Sequence, residues 1–218
     1  MSSRSSISKH TRSILPDPIQ REAYWRGARE LLPAAPGVFA WGLVTGVAMV
    51  KSGLSIEYAL IMTFLAYAGS AQLAALPLLV TVAPLWVVAL TAIAVNLRFV
   101  VYSAAMLPHL RHLPPSARVG LGYLIGDIGF AKFSALLERE PNYPHRVAYF
   151  AGGASCNWVL WQASSVIGIL AATTIPVEWG LALAGTLVLI PLLVPFCRDR
   201  PALAGVCVAS VVAIMGHG

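Results

Sequence analysis

Residues 66–111 read AYAGSAQLAALPLLVTVAPLWVVALTAIAVNLRFVVYSAAMLPHLR. The stretch is apolar enough for two membrane spans, yet Gln72, Asn96 and Arg98 fall where those spans have their middles. A polar or ionisable side chain at membrane depth is costly, and one that persists there marks function by default. The stretch therefore reads as the centre of a path for a solute.

Composition agrees. Of 218 residues, 58% are hydrophobic and 11% charged, against roughly 25% charge in soluble domains. The mean hydropathy is +0.75. An ordinary soluble globule is excluded, and several runs reach the roughly 20 apolar residues that a bilayer crossing needs. The net charge of +6 does not imply nucleic acid, because six of the fifteen basic residues lie in the first thirty positions, before the first span. Cys156, Cys197 and Cys207 show no C-x-x-C spacing, and His109 and His112 lack a third ligand. No metal and no cofactor is expected.

Residues 1–30 read as a cytoplasmic tail followed by an interfacial helix anchored by Trp25, and residues 31–218 as a transmembrane domain. The expected spans are 33–50, 58–80, 85–107, 118–137, 146–172 and 179–196, with a short seventh segment at 202–215. Gly37, Gly42 and Gly46 make a close-packing face on the first. Pro77 lacks an N–H for the Leu73 carbonyl, so an interruption is expected between Gly69 and Pro77. Asp127 falls in the middle of the fourth span. The fold class is an all-α polytopic membrane protein of about six or seven helices. With alternating spans, ten basic residues fall on the N-terminal side and three (Lys51, Arg111 and Arg118) on the other, which places the N-terminus in the cytoplasm.

An internal echo links Gly69-Ser70-Ala71-Gln72 in the second span to Ala154-Ser155-Cys156-Asn157 in the fifth. Three spans separate them, so the units would be mutually inverted, with broken helices in spans 2 and 5 meeting at the midplane.

An amino acid presents a carboxylate and an ammonium. Free N–H groups at a broken-helix N-terminus suit the first, amide oxygens and freed carbonyls the second. Gly69, Ser70, Gln72, Asn96, Ser155 and Asn157 are the candidate substrate-binding residues. Arg98 and Asp127 each cost about 2.5–3.5 kcal/mol at a span centre, and pairing lowers that cost. Tyr102 lies one turn after Arg98 on the same face. Asp127 is the acid placed for proton coupling.

Tyr67-Ala-Gly-Ser-Ala-Gln-Leu-Ala-Ala-Leu-Pro77, then Pro84-Leu-Trp86, Asn96-Leu-Arg98 and Tyr102-Ser-Ala, resemble the AzlC-type branched-chain amino-acid permeases over about residues 33–205. The resemblance implies the large subunit of an inner-membrane exporter of branched-chain amino acids, driven by the proton gradient. It also implies a small four-span partner subunit of AzlD type. Three features depart from that pattern: Phe99 where the family reads His, Asp127-Ile128 where it has an Asp-Glu pair, and a shorter C-terminal end.

Other classes fit less well. An intramembrane enzyme needs a nucleophile with a base, and Ser70 has no histidine at membrane depth. A channel for another small solute, or an assembly subunit without transport, are the alternatives.

Overall fold

The computed structural model describes residues 18–174, which form helices joined by turns, with no strand among the described residues. Spans 179–196 and 202–215 lie outside the described residues. In order, the helices are α1 (Pro18–Leu31), α2 (Ala35–Lys51), α3 (Ile56–Leu65), α4 (Gly69–Val80), α5 (Leu85–Leu110), α6 (Pro115–Tyr123), α7 (Asp127–Arg139) and α8 (Arg146–Ala171).

A single 3-10 turn, Leu32–Ala34, joins α1 to α2. Pro33 and Pro36 stand at first-turn positions, where the missing N–H removes no helical bond. The chain therefore runs as one 34-residue column, Pro18–Lys51. The expected interfacial helix is thus the lower half of this column, packed against α8.

The column and α8 are parallel and touch backbone to backbone. A methyl on Gly27 would strike the Tyr149 carbonyl, one on Gly152 the Tyr24 carbonyl, one on Gly46 the Ser165 carbonyl and one on Gly168 the Leu43 carbonyl. Small residues let the helices approach this closely, which is how helices associate where lipid removes the hydrophobic drive. Gly42 and Gly46 thus serve as the packing face read from the sequence.

Between these helices lie two helical hairpins. The first is α3–α4. The Gln72 amide, fully buried in the first turn of α4, donates back to the Ala66 carbonyl at 2.7 Å and to the Met62 carbonyl at 3.3 Å. Leu76 then packs with Met49, Ala59 and Ile169, beside Ile56 and Leu60 from the start of α3. Both ends of the hairpin therefore lie at the face where α2 and α8 end, and its tip, 66–68, is in the interior.

The second hairpin is α6–α7, bent by 114°. Phe133 and Leu136 of α7 pack with Met106 and Leu110 from the end of α5 and with Tyr149 and Phe150 from the start of α8. This hairpin enters from the N-terminal face. There Arg26 Nη2 meets Glu140 at 2.5 Å, Arg139 Nη2 meets Glu30 at 3.2 Å, and the Tyr149 hydroxyl donates to Glu30 at 2.7 Å. The Arg26 guanidinium holds the Glu140 carboxyl below the usual carboxylate range.

Several sequence expectations are corrected here. The second span is interrupted, but at 66–68, upstream of Gly69, and α4 runs unbroken through Pro77. Turn closure by Gln72, not the proline ring, sets the break. The fifth span is not broken: α8 is continuous from Arg146 to Ala171, so Ala154–Asn157 is no counterpart of Gly69–Gln72. The break lies in the fourth span, and Asp127 opens a helix there instead of occupying its middle. The inverted pair is therefore α3–α4 and α6–α7, which enter from opposite faces. Arg111 and Arg118 move to the N-terminal side, which holds Arg21, Arg26, Arg29, Arg111, Arg118, Arg139 and Arg146, against Lys51 alone at the opposite face among the described residues.

By length and composition, the column and α5 can cross a membrane, with a third span if the bent α6–α7 pair is taken as one.

Candidate functional site

The two hairpin tips meet at mid-depth. The Tyr67 and Tyr123 rings stand 6.1 Å apart, and the Tyr123 hydroxyl donates to the Phe64 carbonyl at 2.5 Å. Asn157 of α8 donates through Nδ2 to the Tyr67 hydroxyl in a short hydrogen bond, and Gly126 of the second tip lies against the same amide.

Two helices start here. Neither α4 at Gly69 nor α7 at Asp127 has a side-chain cap on its first turn. The first intrahelical donors are the amides of Gln72, bonded to Ala68, and Phe130, bonded to Gly126. The preceding N–H groups of each helix have no intrahelical partner, and they add to the positive end of the helix dipole.

Arg98 is the fourteenth of the 26 residues of α5, so it sits at that helix's centre. Its Nη2 donates to Ser70 Oγ at 2.6 Å, in the first turn of α4. Its Nε lies 3.0 Å from Asp127 Oδ1, in the first turn of α7. That Nε–H is not aimed along the contact and has no hydrogen-bond acceptor, so the Arg98–Asp127 pair is coulombic. The Tyr102 hydroxyl donates to the same Oδ1 at 3.0 Å, and its ring stacks on Phe130 at 4.2 Å. The guanidinium also covers the Phe99 ring, 4.9 Å from its centroid.

Between the tips lies a cavity of about 60 Å³. Gly69, Arg98, Asp127 and Asn157 give its polar side, and Trp41, Phe99 and Trp161 its aromatic side. Trp161 stands edge-on to Trp41 at 5.8 Å and to Tyr67 at 6.4 Å. Asn157 Oδ1 and Trp161 Nε1 are buried without partners. Buried polar atoms are nearly always paired, so these two residues of one cavity wall leave an acceptor and a donor without partners there. Asp127 keeps 43% of its side chain open.

The candidates read from the sequence divide. Gly69, Arg98, Asp127 and Asn157 line the cavity, and Ser70 and Tyr102 hold its two charged residues. Gln72 is not on the wall: its Nε2 closes the first hairpin, and its buried Oε1 has no partner. Asn96, whose buried Oδ1 has no partner, and Ser155 are not on the wall. The sequence reading did not assign Tyr67, Trp41 and Trp161 to the site. Two signals were available: Tyr67 directly precedes the Ala-Gly-Ser break, and Trp161 follows Asn157 by one helical turn.

Inverted hairpins whose helix starts converge at mid-depth are a plan that secondary transporters use. A family described as AzlC protein matches residues 33–175, and the chain belongs to that family, whose function is related to membrane transport. No curated protein and no solved structure matches the chain.

Proposed function

We propose that the chain is the membrane subunit of a secondary transporter that exports branched-chain amino acids across the inner membrane, with a small four-span partner of AzlD type. The observation that carries the reading is the convergence of two uncapped helix starts on one cavity that also holds orphaned amide and indole groups.

A zwitterion matches this arrangement. The substrate carboxylate accepts from the free N–H groups of Gly69, Ser70 and Ala71. The ammonium faces the open Asp127 carboxylate and Asn157 Oδ1. Val38, Phe99, Ile128 and the two tryptophans offer an apolar wall to an aliphatic side chain. Size separates this conformation from the loaded one: about 60 Å³ is room for about two waters, whereas ligand sites run to about 300 Å³ or more. Loading therefore requires the tips to part. Asp127, the carboxylate at mid-depth among the described residues, is the group through which a proton would couple to that motion.

The N-terminal face is cytoplasmic in this proposal, supported by seven basic residues against one. With the column, α5, α8 and the two hairpins, the 179–196 and 202–215 segments would make seven membrane segments, of which the hairpins turn back and the other five cross. The test is counterflow of labelled leucine or valine in proteoliposomes holding the chain with its partner subunit. Counterflow that is abolished by Asn157→Leu supports the site. Its absence with every aliphatic amino acid, in vesicles where the pair is folded, leaves the assembly-subunit alternative, which the small cavity otherwise favours.

A further inference from the structure

A second cavity, of about 370 Å³, opens at the N-terminal face between α1, the end of α5 and the start of α8. Its polar wall is Gln20, His109, His112, His145 and Arg146, and its apolar wall includes Leu113 and Val147. Among the described residues, no carboxylate lines it. Arg26, Arg98 and Arg139 each meet an acid, whereas Arg146 meets none among the described residues and rests 3.5 Å from His109 Nδ1.

A guanidinium that meets no acid among the described residues, with three imidazoles on the same cavity wall, asks for an oxyanion. Arg binds phosphate oxygens in pairs through its planar fork, and imidazole N–H groups supply further donors around a tetrahedral group. The position matters as well: α5, which is long and apolar enough to cross a membrane, ends beside this cavity, and basic pockets between helices at the ends of spans take anionic lipid headgroups. We propose that this cavity binds a phosphate mono- or diester of net negative charge, one without a cation of its own, held by Arg146 with His109, His112 and His145. The source is a phospholipid headgroup or a soluble phosphate ester. The site is independent of the central cavity and of what that cavity carries.

Thermal unfolding of the full chain in a neutral detergent tests this. Three additions are compared: phosphatidylglycerol, phosphatidylcholine with the same acyl chains, and glycerol phosphate. The expected result is that phosphatidylglycerol raises the unfolding temperature, phosphatidylcholine does not, and the phosphatidylglycerol response of Arg146→Gln needs about fivefold more lipid. Equal protection by glycerol phosphate assigns the site to a soluble ester, and its failure to protect assigns it to lipid. Should Arg146→Gln not fold, His112→Ala, an exposed residue in the turn after α5, carries the same comparison. A phosphatidylglycerol response no larger than that to phosphatidylcholine, or one unchanged in the variants, overturns the proposal unless glycerol phosphate protects the wild-type chain more than either variant.

Discussion

Arg98 on α5 and Asp127 at the start of α7 stand 3.0 Å apart, while the same guanidinium donates to Ser70 at the start of α4. One arginine on a crossing helix thus ties together two hairpins that enter from opposite faces. Asp127→Asn should destabilise the protein by about 1–2 kcal/mol, between the values for exposed and fully buried pairs, because both side chains are partly open. Arg98→Gln with Asp127→Asn should recover unfolding temperature relative to either single change. If the pair also relays protons, the double variant stays folded without proton-driven export. Additive losses of unfolding temperature would show that the two charges are not coupled.

Gly69 begins α4 at the outer edge of the Trp161 ring, which also packs edge-on with Trp41 and Tyr67. A methyl there cannot be absorbed by swinging the indole. Gly69→Ala should lower stability by about 1–3 kcal/mol, the usual cost of overpacking, and should block counterflow in the fraction that folds. Wild-type counterflow in Gly69→Ala would mean that the tip is not part of the path.

Gln72 closes the first hairpin, since its amide donates to two carbonyls of the preceding helix and turn. The Ala66 and Met62 carbonyls also accept from Ala68 and Ala66 amides, so removing the side chain weakens the closure without orphaning them. Gln72→Leu should cost about 1–2 kcal/mol in an unfolding assay. A change confined to substrate affinity, with unaltered unfolding, would return Gln72 to the binding role read from the sequence.

The hairpin α6–α7 has a topological consequence. In a chain whose native cysteines are replaced, Leu113→Cys and Asn142→Cys should react with an impermeant thiol reagent from the same side of the membrane. Val82→Cys should react from the other. Labelling of residues 113 and 142 from opposite sides would show that α6–α7 crosses the bilayer.

Much of this was legible in the residues alone. Composition and apolar runs determined a helical membrane chain, because continuous runs of about 20 apolar residues satisfy their backbone groups in lipid as helices, whereas barrel strands are about 10 residues long. Cost at depth singled out Arg98 and Asp127, since an unpaired charge there demands a partner. The helix-start chemistry at Gly69 and Ser70 followed from small residues beside a break. The direction of the chain after each break did not follow. A run of 20 apolar residues reads alike whether it crosses or turns back, and only the packing of Leu76 on Met49 and of Phe133 on Tyr149 and Phe150 shows that both runs return. That reversal moved Arg111 and Arg118 across the membrane and paired the second run with the fourth instead of the fifth. The packing of α2 on α8 also brought Trp41 and Trp161, far apart in the chain, onto one wall. Local sequence carries the price of burying a group, whereas which distant groups share a cavity is decided by how the helices pack.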